Sequence, residues 1–112
     1  MKFITAIIKP FKFTEVKDAL SAAGVLGLTV SEVSGYGRQK GQSEVYRGAE
    51  YVSSMLPKLK LEMAVPDDLE GKVVEIVRQA ANNQEIGDGK IFVLDLFDAV
   101  RIRTGERGEL AL

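Results

Sequence analysis

The pattern of apolar and polar residues along the chain predicts four strands, from short apolar runs or from alternation at every second residue. Residues 2–8 are mostly apolar and predict a buried strand that ends before Pro10, which has no N–H to donate. Residues 28–33 predict a second strand. In 59–65 every second residue is apolar, as in a strand with one buried face. Residues 91–97 form a continuous apolar run with β-branched and aromatic members, which predicts a buried central strand.

Helical spacing predicts two helices between these strands. We expect Thr14 to cap the first helix and Gly24 to end it. We expect Asp67 or Asp68 to cap the second helix, which should end near Asn82-Asn83. The apolar positions that fall on one face are Val16, Ala19, Leu20 and Ala23 in the first helix, and Leu69, Val73, Ile76, Val77 and Ala80 in the second.

The resulting order is strand, helix, strand, strand, helix, strand, followed by a tail around residues 100–103 that we expect to be extended. This is the α+β ferredoxin-like arrangement, the split βαβ motif. We expect residues 1–112 to form a single domain, since a chain of this length can bury an adequate core. Many activities share this architecture, so the fold alone does not indicate the function.

A long polar segment separates the second and third predicted strands. It occupies about residues 37–55, whereas connections in compact domains are usually about 4–6 residues and structureless loops beyond about 12–15 residues tend to be functional or disordered. It is rich in glycine, cations and tyrosine and has no apolar periodicity that would dock it on its own domain. We therefore expect a solvated loop that presents a tyrosine to another protein.

Composition narrows the chemistry. The 112 residues include no cysteine and no histidine, which excludes disulfides, thiolate metal sites and the commonest acid–base side chain. A net charge of −1 argues against broad nucleic-acid binding. The N-terminal apolar run is too short for an export signal, and no run approaches the roughly 18 apolar residues of a membrane span. We expect a cytoplasmic protein without membrane insertion.

Three segments combine glycine or extended backbone with cations, and together they suggest a polyphosphate site. Gly87-Asp88-Gly89-Lys90 can cradle a phosphate with backbone amides, and Gly35-Tyr36-Gly37-Arg38 repeats the theme. Arg101 and Arg103 are two residues apart, so in an extended tail both would point to one face. Taken alone, the segment Gly87-Asp88-Gly89-Lys90 is better explained as an ordinary tight turn, and any of the three segments could be a solvated surface feature. A site between subunits would let the three segments converge.

Two further residues flank the long segment. Lys58 is either a solvated lysine at a strand start or a partner for a small carboxylate. Gln39 is either ordinary loop polarity or a magnesium ligand beside phosphate oxygens, because magnesium takes oxygen ligands.

Five segments in the same order resemble the PII signal-transduction proteins of nitrogen regulation, over essentially the whole chain. The tyrosine hexapeptide and the glycine-lysine turn are the specific matches, and the first segment is the weakest. The segments are Ile7-Ile8-Lys9-Pro10-Phe11-Lys12, Gly35 to Gly41, Tyr46-Arg47-Gly48-Ala49-Glu50-Tyr51, Gly87-Asp88-Gly89-Lys90-Ile91-Phe92, and Arg101-Ile102-Arg103-Thr104-Gly105-Glu106.

The resemblance implies a homotrimer with a nucleotide site in each cleft between subunits, where ATP and ADP compete. Gln39 would bind Mg²⁺ together with ATP and 2-oxoglutarate, and Lys58 would pair with a 2-oxoglutarate carboxylate, with the backbone at Gly41 and Gly87 completing that site. The implied nucleotide contacts are Gly35, Gly37, Arg38, Gly87, Asp88, Gly89, Lys90, Arg101 and Arg103 around the phosphates, with Ile7, Thr29 and Ala64 at the base.

The resemblance also implies an output. The long segment would be a partner-binding loop, with Arg47 and Tyr51 in the contact and Tyr51 as a uridylylation site. The partners implied are an ammonium transporter, which would recruit the protein to the membrane, a uridylyltransferase, the adenylyltransferase of glutamine synthetase, or a nitrogen sensor kinase. Slow incidental ATP hydrolysis is compatible with this regulatory role.

The chain departs from the family pattern at a few positions. Asn83 replaces a common threonine or serine beside the glycine turn, which affects local hydrogen bonding. Residues 53–55 are less acidic and aromatic than usual, which affects partner preference. Ala49 excludes the serine phosphorylation of some photosynthetic members.

Two other functions fit the same element order. A nucleic-acid-binding module would stack bases on exposed strand aromatics, whereas the third predicted strand exposes Lys60 and Glu62. A small phosphoryl-transfer enzyme would need a base beside the phosphate segments, and none is evident.

Overall fold

The computed structural model describes residues 1–37 and 55–112 in full, and the backbone alone of residues 43–46 and 49–52. It confirms the α+β ferredoxin-like fold with a βαββαβ frame. Short 3-10 turns occupy Pro10–Lys12 and Gly108–Ala111. The elements in chain order are β1 (Lys2–Ile8), α1 (Phe13–Ala22), β2 (Thr29–Gly35), β3 (Ser43–Tyr46), β4 (Ala49–Val52), β5 (Leu56–Val65), α2 (Asp67–Ala81) and β6 (Gly89–Asp95).

Four strands form one antiparallel sheet in the order β2-β5-β1-β6. One face of this sheet packs against both helices, because apolar residues recur at every second position of β1 and β5 and at helical spacing in α1 and α2. The most buried members of this core are Ile4, Ala6, Ile8, Leu61, Met63, Val16, Leu20, Val73 and Val77.

On the other face of the sheet neither α1 nor α2 packs. Thr5 pairs with Glu62 on one side and with Phe92 on the other, and Lys60 pairs with Ile7. Lys60 and Glu62 are partly exposed there and lie 3.8 Å apart as an ion pair. This confirms the expected exposure of both residues and gives the open face a mixed polar and apolar character.

Both helices start without the side-chain caps that the sequence predicts. Thr14 is wrong as a cap because the 3-10 turn Pro10–Lys12 leads directly into α1, and the N-cap residue Lys12 is already helical, with φ −89° and ψ −4°. In α2 the N-cap is Pro66, so neither Asp67 nor Asp68 caps the helix. The carboxylate of Asp67 instead lies 3.0 Å from the amino group of Met1.

The last strand is neither central nor buried as predicted. β6 stops at Asp95 and lies at the edge of the sheet. It pairs with β1 alone, so Phe92 and Leu94 are about half exposed, and Phe97 beyond the strand is 99% exposed. The apolar run 91–97 therefore belongs to an exposed edge strand and the residues after it, and not to a central strand.

Two other expectations are corrected by backbone pairing. The long segment contains two strands that the sequence did not predict, because β3 and β4 pair as an antiparallel hairpin in which Glu44 lies opposite Tyr51. Residues 100–103 are not extended, because Val100 bridges to Arg107 and the chain turns between them. Among the described residues, neither helix is long and apolar enough to cross a membrane.

Candidate functional site

A cavity of about 390 Å³ opens at one end of the sheet. Antiparallel pairing brings the end of β1, the end of β2, the start of β5 and the start of β6 to this same end, as the pairs Gly35 with Leu56 and Ile8 with Gly89 show. Gly37 and Leu56, which border the long segment between β2 and β5, both line this cavity. The cavity is lined by Ile7, Gly35, Tyr36, Gly37, Leu56, Lys58, Ile86, Gly87, Gly89, Lys90 and Phe92.

The turn before β6 can be built only with glycine at two positions. Gly87 and Gly89 have φ of +98° and +117°, a region that residues with a Cβ rarely adopt. A Cβ on Gly89 would also lie 1.7 Å from the carbonyl oxygen of Ile7. The glycines therefore let the turn press against β1, and this brings Lys90 to the cavity wall.

The carboxylate of Asp88 stabilises this turn. Its Oδ2 accepts hydrogen bonds from the amides of Asn83 (2.6 Å) and Glu85 (3.2 Å), and Oδ1 lies 3.2 Å from the Nζ of Lys9. Burial opposes ionisation of Asp88, but the two amides and Lys9 outweigh it and lower its pKa below the ordinary carboxyl value. Asp88 is thus a charged anchor of the turn and does not line the cavity.

Lys9 is the partner that makes this anchor possible. It is 8% exposed, and its ammonium group also pairs with Glu85 at 3.1 Å. The hydrogen bond from Lys9 to Glu85 is the main reason that the pKa of Lys9 lies above its ordinary value. A buried lysine at the end of β1 therefore fixes both acidic residues of the segment that leads into β6.

Lys58 supplies a second cation inside the cavity. Its ammonium group donates a hydrogen bond to the carbonyl oxygen of Gly87. Burial, followed by the positive charge of Lys9, lowers the pKa of Lys58, while Asp88 acts in the opposite direction. A partly desolvated ammonium near another cation favours an anionic ligand, because a bound carboxylate or phosphate would compensate both effects.

The described residues that line the cavity include the ammonium groups of Lys58 and Lys90 and no carboxylate. In the described ranges 1–37 and 55–112, no cluster of three or more acidic residues could hold a metal ion. These residues therefore fit phosphate and carboxylate oxygens.

The structure gathers only part of the predicted site. It brings together Ile7, Gly35, Gly37, Lys58, Gly87, Gly89 and Lys90 around the cavity. Thr29, Ala64, Asp88, Arg101 and Arg103 do not line it. Arg38, Gln39, Gly41 and Arg47 lie outside the described residues, and only the backbone of Tyr51 is described.

Of the predicted residues that do not line the cavity, all but Asp88 lie far from it within one chain. Lys58 and Ala64 are six residues apart on β5, which is roughly 20 Å along a strand. Thr29 pairs with Glu62, toward the same remote end. The arginines follow the end of β6, where Asp95 pairs with Lys2, and this is the end of the sheet away from the cavity. They lie in a turn in which the guanidinium group of Arg101 contacts Glu106 at 3.5 Å.

Sequence reasoning missed several residues of the site. Tyr36, Leu56, Ile86 and Phe92 line the cavity, and Lys9 anchors its turn. Phe92 could have been found, because it lies two residues after Lys90 and so shares its side of the strand. Lys9 carried no comparable signal, since its acidic partners are 76 and 79 residues away in sequence.

A second cavity of about 410 Å³ lies on the helix side of β6. Its walls include Val74, Val77 and Arg78 of α2 together with Asn82 and Asp88, and it shares Gly89 and Lys90 with the first cavity. The start of β6 therefore separates two concave surfaces.

Comparison with known proteins gives one consistent result. A family model described as "Nitrogen regulatory protein P-II" matches residues 1–106. The chain is 58% identical over 112 residues to the "Nitrogen regulatory protein P-II" of Rhizobium etli, and 56% identical over 112 residues to the "Nitrogen regulatory protein GlnK" of Escherichia coli K12. It is 57% identical to the "Nitrogen regulatory protein P-II" of Rhodobacter capsulatus. Each match covers 100% of both chains.

Proposed function

The chain belongs to the nitrogen regulatory protein P-II family, and from this premise we propose that it senses ATP, ADP and 2-oxoglutarate in the cavity at the end of the sheet. The observation that carries the proposal is the hydrogen bond from Lys58 to Gly87 inside a cavity that also contains Lys90. It joins the residue expected to bind a carboxylate to the turn expected to bind phosphates.

Each cavity residue has a part in this proposal. The turn from Gly87 to Lys90 holds the phosphates, with Gly35 and Gly37 as small residues that let them approach the backbone. Lys58 holds a carboxylate of 2-oxoglutarate. A magnesium ion bound with ATP lowers the repulsion between the two anionic ligands, and Gln39 is the protein ligand proposed for it.

The nucleotide site is proposed to be shared between subunits of a homotrimer. Two observations support this. Thr29, Ala64, Arg101 and Arg103 lie away from the cavity of their own chain, so in this proposal a second copy supplies them. The open sheet face and the C-terminal segment also expose large apolar residues, which in soluble proteins marks an interaction surface. These are Phe92 and Leu94 on the open face, and Phe97, Val100 and Ile102 in the C-terminal segment.

The output is proposed to pass through the segment between β2 and β5. Ligands at Gly35, Gly37 and Lys58 would restrain both ends of this segment and so shift the conformations offered to a partner. Arg47 and Tyr51 are the proposed partner contacts, and uridylylation of Tyr51 would add a bulky anion there. The proposed partners are an ammonium transporter or the modifying and sensory enzymes of nitrogen assimilation. The relatives are named as regulatory proteins, which fits a binding protein rather than an enzyme.

The proposal is tested by deleting residues 42–53 and measuring two properties separately. We expect the variant to remain trimeric by light scattering and to bind ATP with unchanged affinity. We expect it to lose capture of partners from host extract, both with ADP and with Mg-ATP plus 2-oxoglutarate. A deletion variant that still captures partners with the same dependence on ligands would show that the output surface lies elsewhere.

A further inference from the structure

The side chain of Asp98 closes the C-terminal turn, defined here as residues 98–108. Its Oδ2 accepts a hydrogen bond from the Nη1 of Arg107 at 2.6 Å. Its Oδ1 accepts from the amides of Ala99 (2.9 Å) and Gly108 (3.3 Å). The bond from Arg107 is the main reason that the pKa of Asp98 is lowered. One carboxylate therefore ties together the two ends of the turn.

The backbone within the turn is closed in the same way. The amide of Gly108 donates to the carbonyl of Ala99 at 3.0 Å, and the amide of Arg101 donates to the carbonyl of Glu106 at 2.9 Å. A further bond of 2.7 Å joins the amide of Gly105 to the carbonyl of Arg101. Gly105 and Gly108 have φ of +74° and +68°, so both bends require glycine. This turn has one defined shape.

The two arginines of the turn are held differently. Arg101 lies 3.5 Å from Glu106 and donates from its Nη2 to the carbonyl of Leu112 at 3.2 Å. Arg103 lies at the tip of the turn and is exposed. The backbone of the turn sets where the Arg103 side chain starts, and Asp98 fixes that backbone at its base.

The ion pair itself is too exposed to serve chiefly in stability. The side chain of Arg107 is 70% exposed, and pairs of this kind contribute little to the free energy of unfolding. Its effect is therefore expected to be local, on the geometry of the turn. Arginines bind phosphate through a planar fork of donors, so small changes in their placement weaken the contact.

We propose that Asp98 and Arg107 are positioning residues, whose ion pair holds the C-terminal turn so that Arg101 and Arg103 meet the phosphates of a nucleotide bound to a second copy of the chain. This inference rests on the proposed function. Neither residue touches the nucleotide in it, and both act through the backbone of the turn.

The test compares Asp98→Asn with Glu75→Gln in the intact trimer. Glu75 is a matched control, because its carboxylate pairs with Arg78 at 2.7 Å on the surface of α2, outside the turn. We expect Asp98→Asn to speed hydrogen exchange at the amides of Arg101 and Gly108 and to weaken ATP binding in calorimetry roughly tenfold, equivalent to about 1.4 kcal/mol. Glu75→Gln should leave both unchanged.

Arg107 provides the second arm. Arg107→Gln should weaken ATP binding as Asp98→Asn does, Arg107→Lys should restore most of it, and the double variant Asp98→Asn/Arg107→Gln should be no weaker than the worse single variant. Unchanged ATP affinity in Asp98→Asn, or additive losses in the double variant, would overturn the positioning role. A wild-type protein that fails to bind ATP would overturn the proposed function itself, and the same titration reveals this before any variant is compared.

Discussion

Lys58 and Gly87 are joined by a hydrogen bond from the ammonium group to the carbonyl oxygen, which connects the start of β5 to the turn before β6. A ligand carboxylate that pairs with Lys58 therefore acts next to the turn proposed to hold phosphates. This contact gives a direct physical route by which two different ligands can affect each other's binding.

Replacing Lys58 should separate the two ligands. Lys58→Met removes the charge that pairs with the acid but keeps most of the side-chain volume, so we expect no measurable 2-oxoglutarate binding and nearly unchanged ATP binding in calorimetry. Lys72→Met, on the exposed side of α2, is the matched control and should behave as wild type. Loss of ATP binding in Lys58→Met to the same extent as 2-oxoglutarate binding would assign the lysine to the phosphates instead.

The lowered pKa of Lys58 predicts a pH dependence. A bound carboxylate stabilises the charged ammonium and raises its pKa again, so 2-oxoglutarate binding should take up protons at alkaline pH. The affinity for 2-oxoglutarate should then fall as pH rises through the lowered pKa of Lys58 in the free site. This fall should begin at a lower pH than it would for a lysine with the ordinary pKa of 10.5. Calorimetry in buffers of different ionisation enthalpy measures the uptake, and an affinity that is flat up to pH 10.5 would contradict it.

Gly89 and Gly71 should respond in opposite ways to alanine. Gly89→Ala places a Cβ against the carbonyl of Ile7, in a backbone region that alanine rarely adopts, and should destabilise the fold by at least about 2 kcal/mol. Gly71 lies inside α2 with open space around it, so Gly71→Ala should stabilise by about 0.5–1 kcal/mol. Urea unfolding measures both, and a neutral Gly89→Ala would mean that the turn can leave β1.

Asp88→Asn should destabilise the protein in a pH-dependent way. The folded-state pKa of Asp88 is lowered, so its charged form contributes stability above its unfolded value of 3.8, and that contribution is lost as pH falls through the folded pKa. The variant should therefore unfold at lower urea than wild type at pH 7, with the gap closing in acid. A gap that stays constant down to pH 2 would assign the effect to packing rather than to charge.

The sequence predicted the helices and the four sheet strands, but not the burial of the last strand or the residues that cap the helices. Periodicity in residues 2–8 and 59–65 located β1 and most of β5, because one face of each packs on the helices. The apolar run of 91–97 was misplaced because local composition does not distinguish a strand at the centre of a sheet from one at its exposed edge. The two predicted helix caps were wrong. Lys12, the residue before α1, already has helical backbone angles, and the carboxylate of Asp67 pairs with the amino group of Met1.

The site was predictable where adjacent residues define it and unpredictable where it depends on distant contacts. Gly87 and Gly89 predict a turn in the sequence, and the structure places both at positive φ, which residues with a Cβ rarely adopt. The anchoring of Asp88 by Lys9 depends on strand pairing across most of the chain, and no local pattern reports it. The turn that replaces the extended tail arises from bonds that join Asp98 to Arg107 and Gly108, which are nine and ten residues farther along the chain.

Shared clefts can be tested by complementation. Lys90→Ala impairs the cavity and Arg103→Ala impairs the turn, and each uniform trimer should lose ATP affinity by on the order of 2–5 kcal/mol. Trimers that mix the two variants should regain one high-affinity site, formed by the intact cavity of one copy and the intact arginine of the next. No regained site in mixed trimers would mean that each chain binds its nucleotide alone.

The most direct test of the account is calorimetric titration of 2-oxoglutarate into the wild-type protein with Mg-ATP and, separately, with ADP. Since the magnesium ion bound with ATP is proposed to bridge the two ligands, we predict clear binding with Mg-ATP and none with ADP. Linkage requires that 2-oxoglutarate tighten ATP binding in return, typically by about 1–3 kcal/mol. Equal 2-oxoglutarate affinity with both nucleotides, or no effect on ATP affinity, would contradict the account.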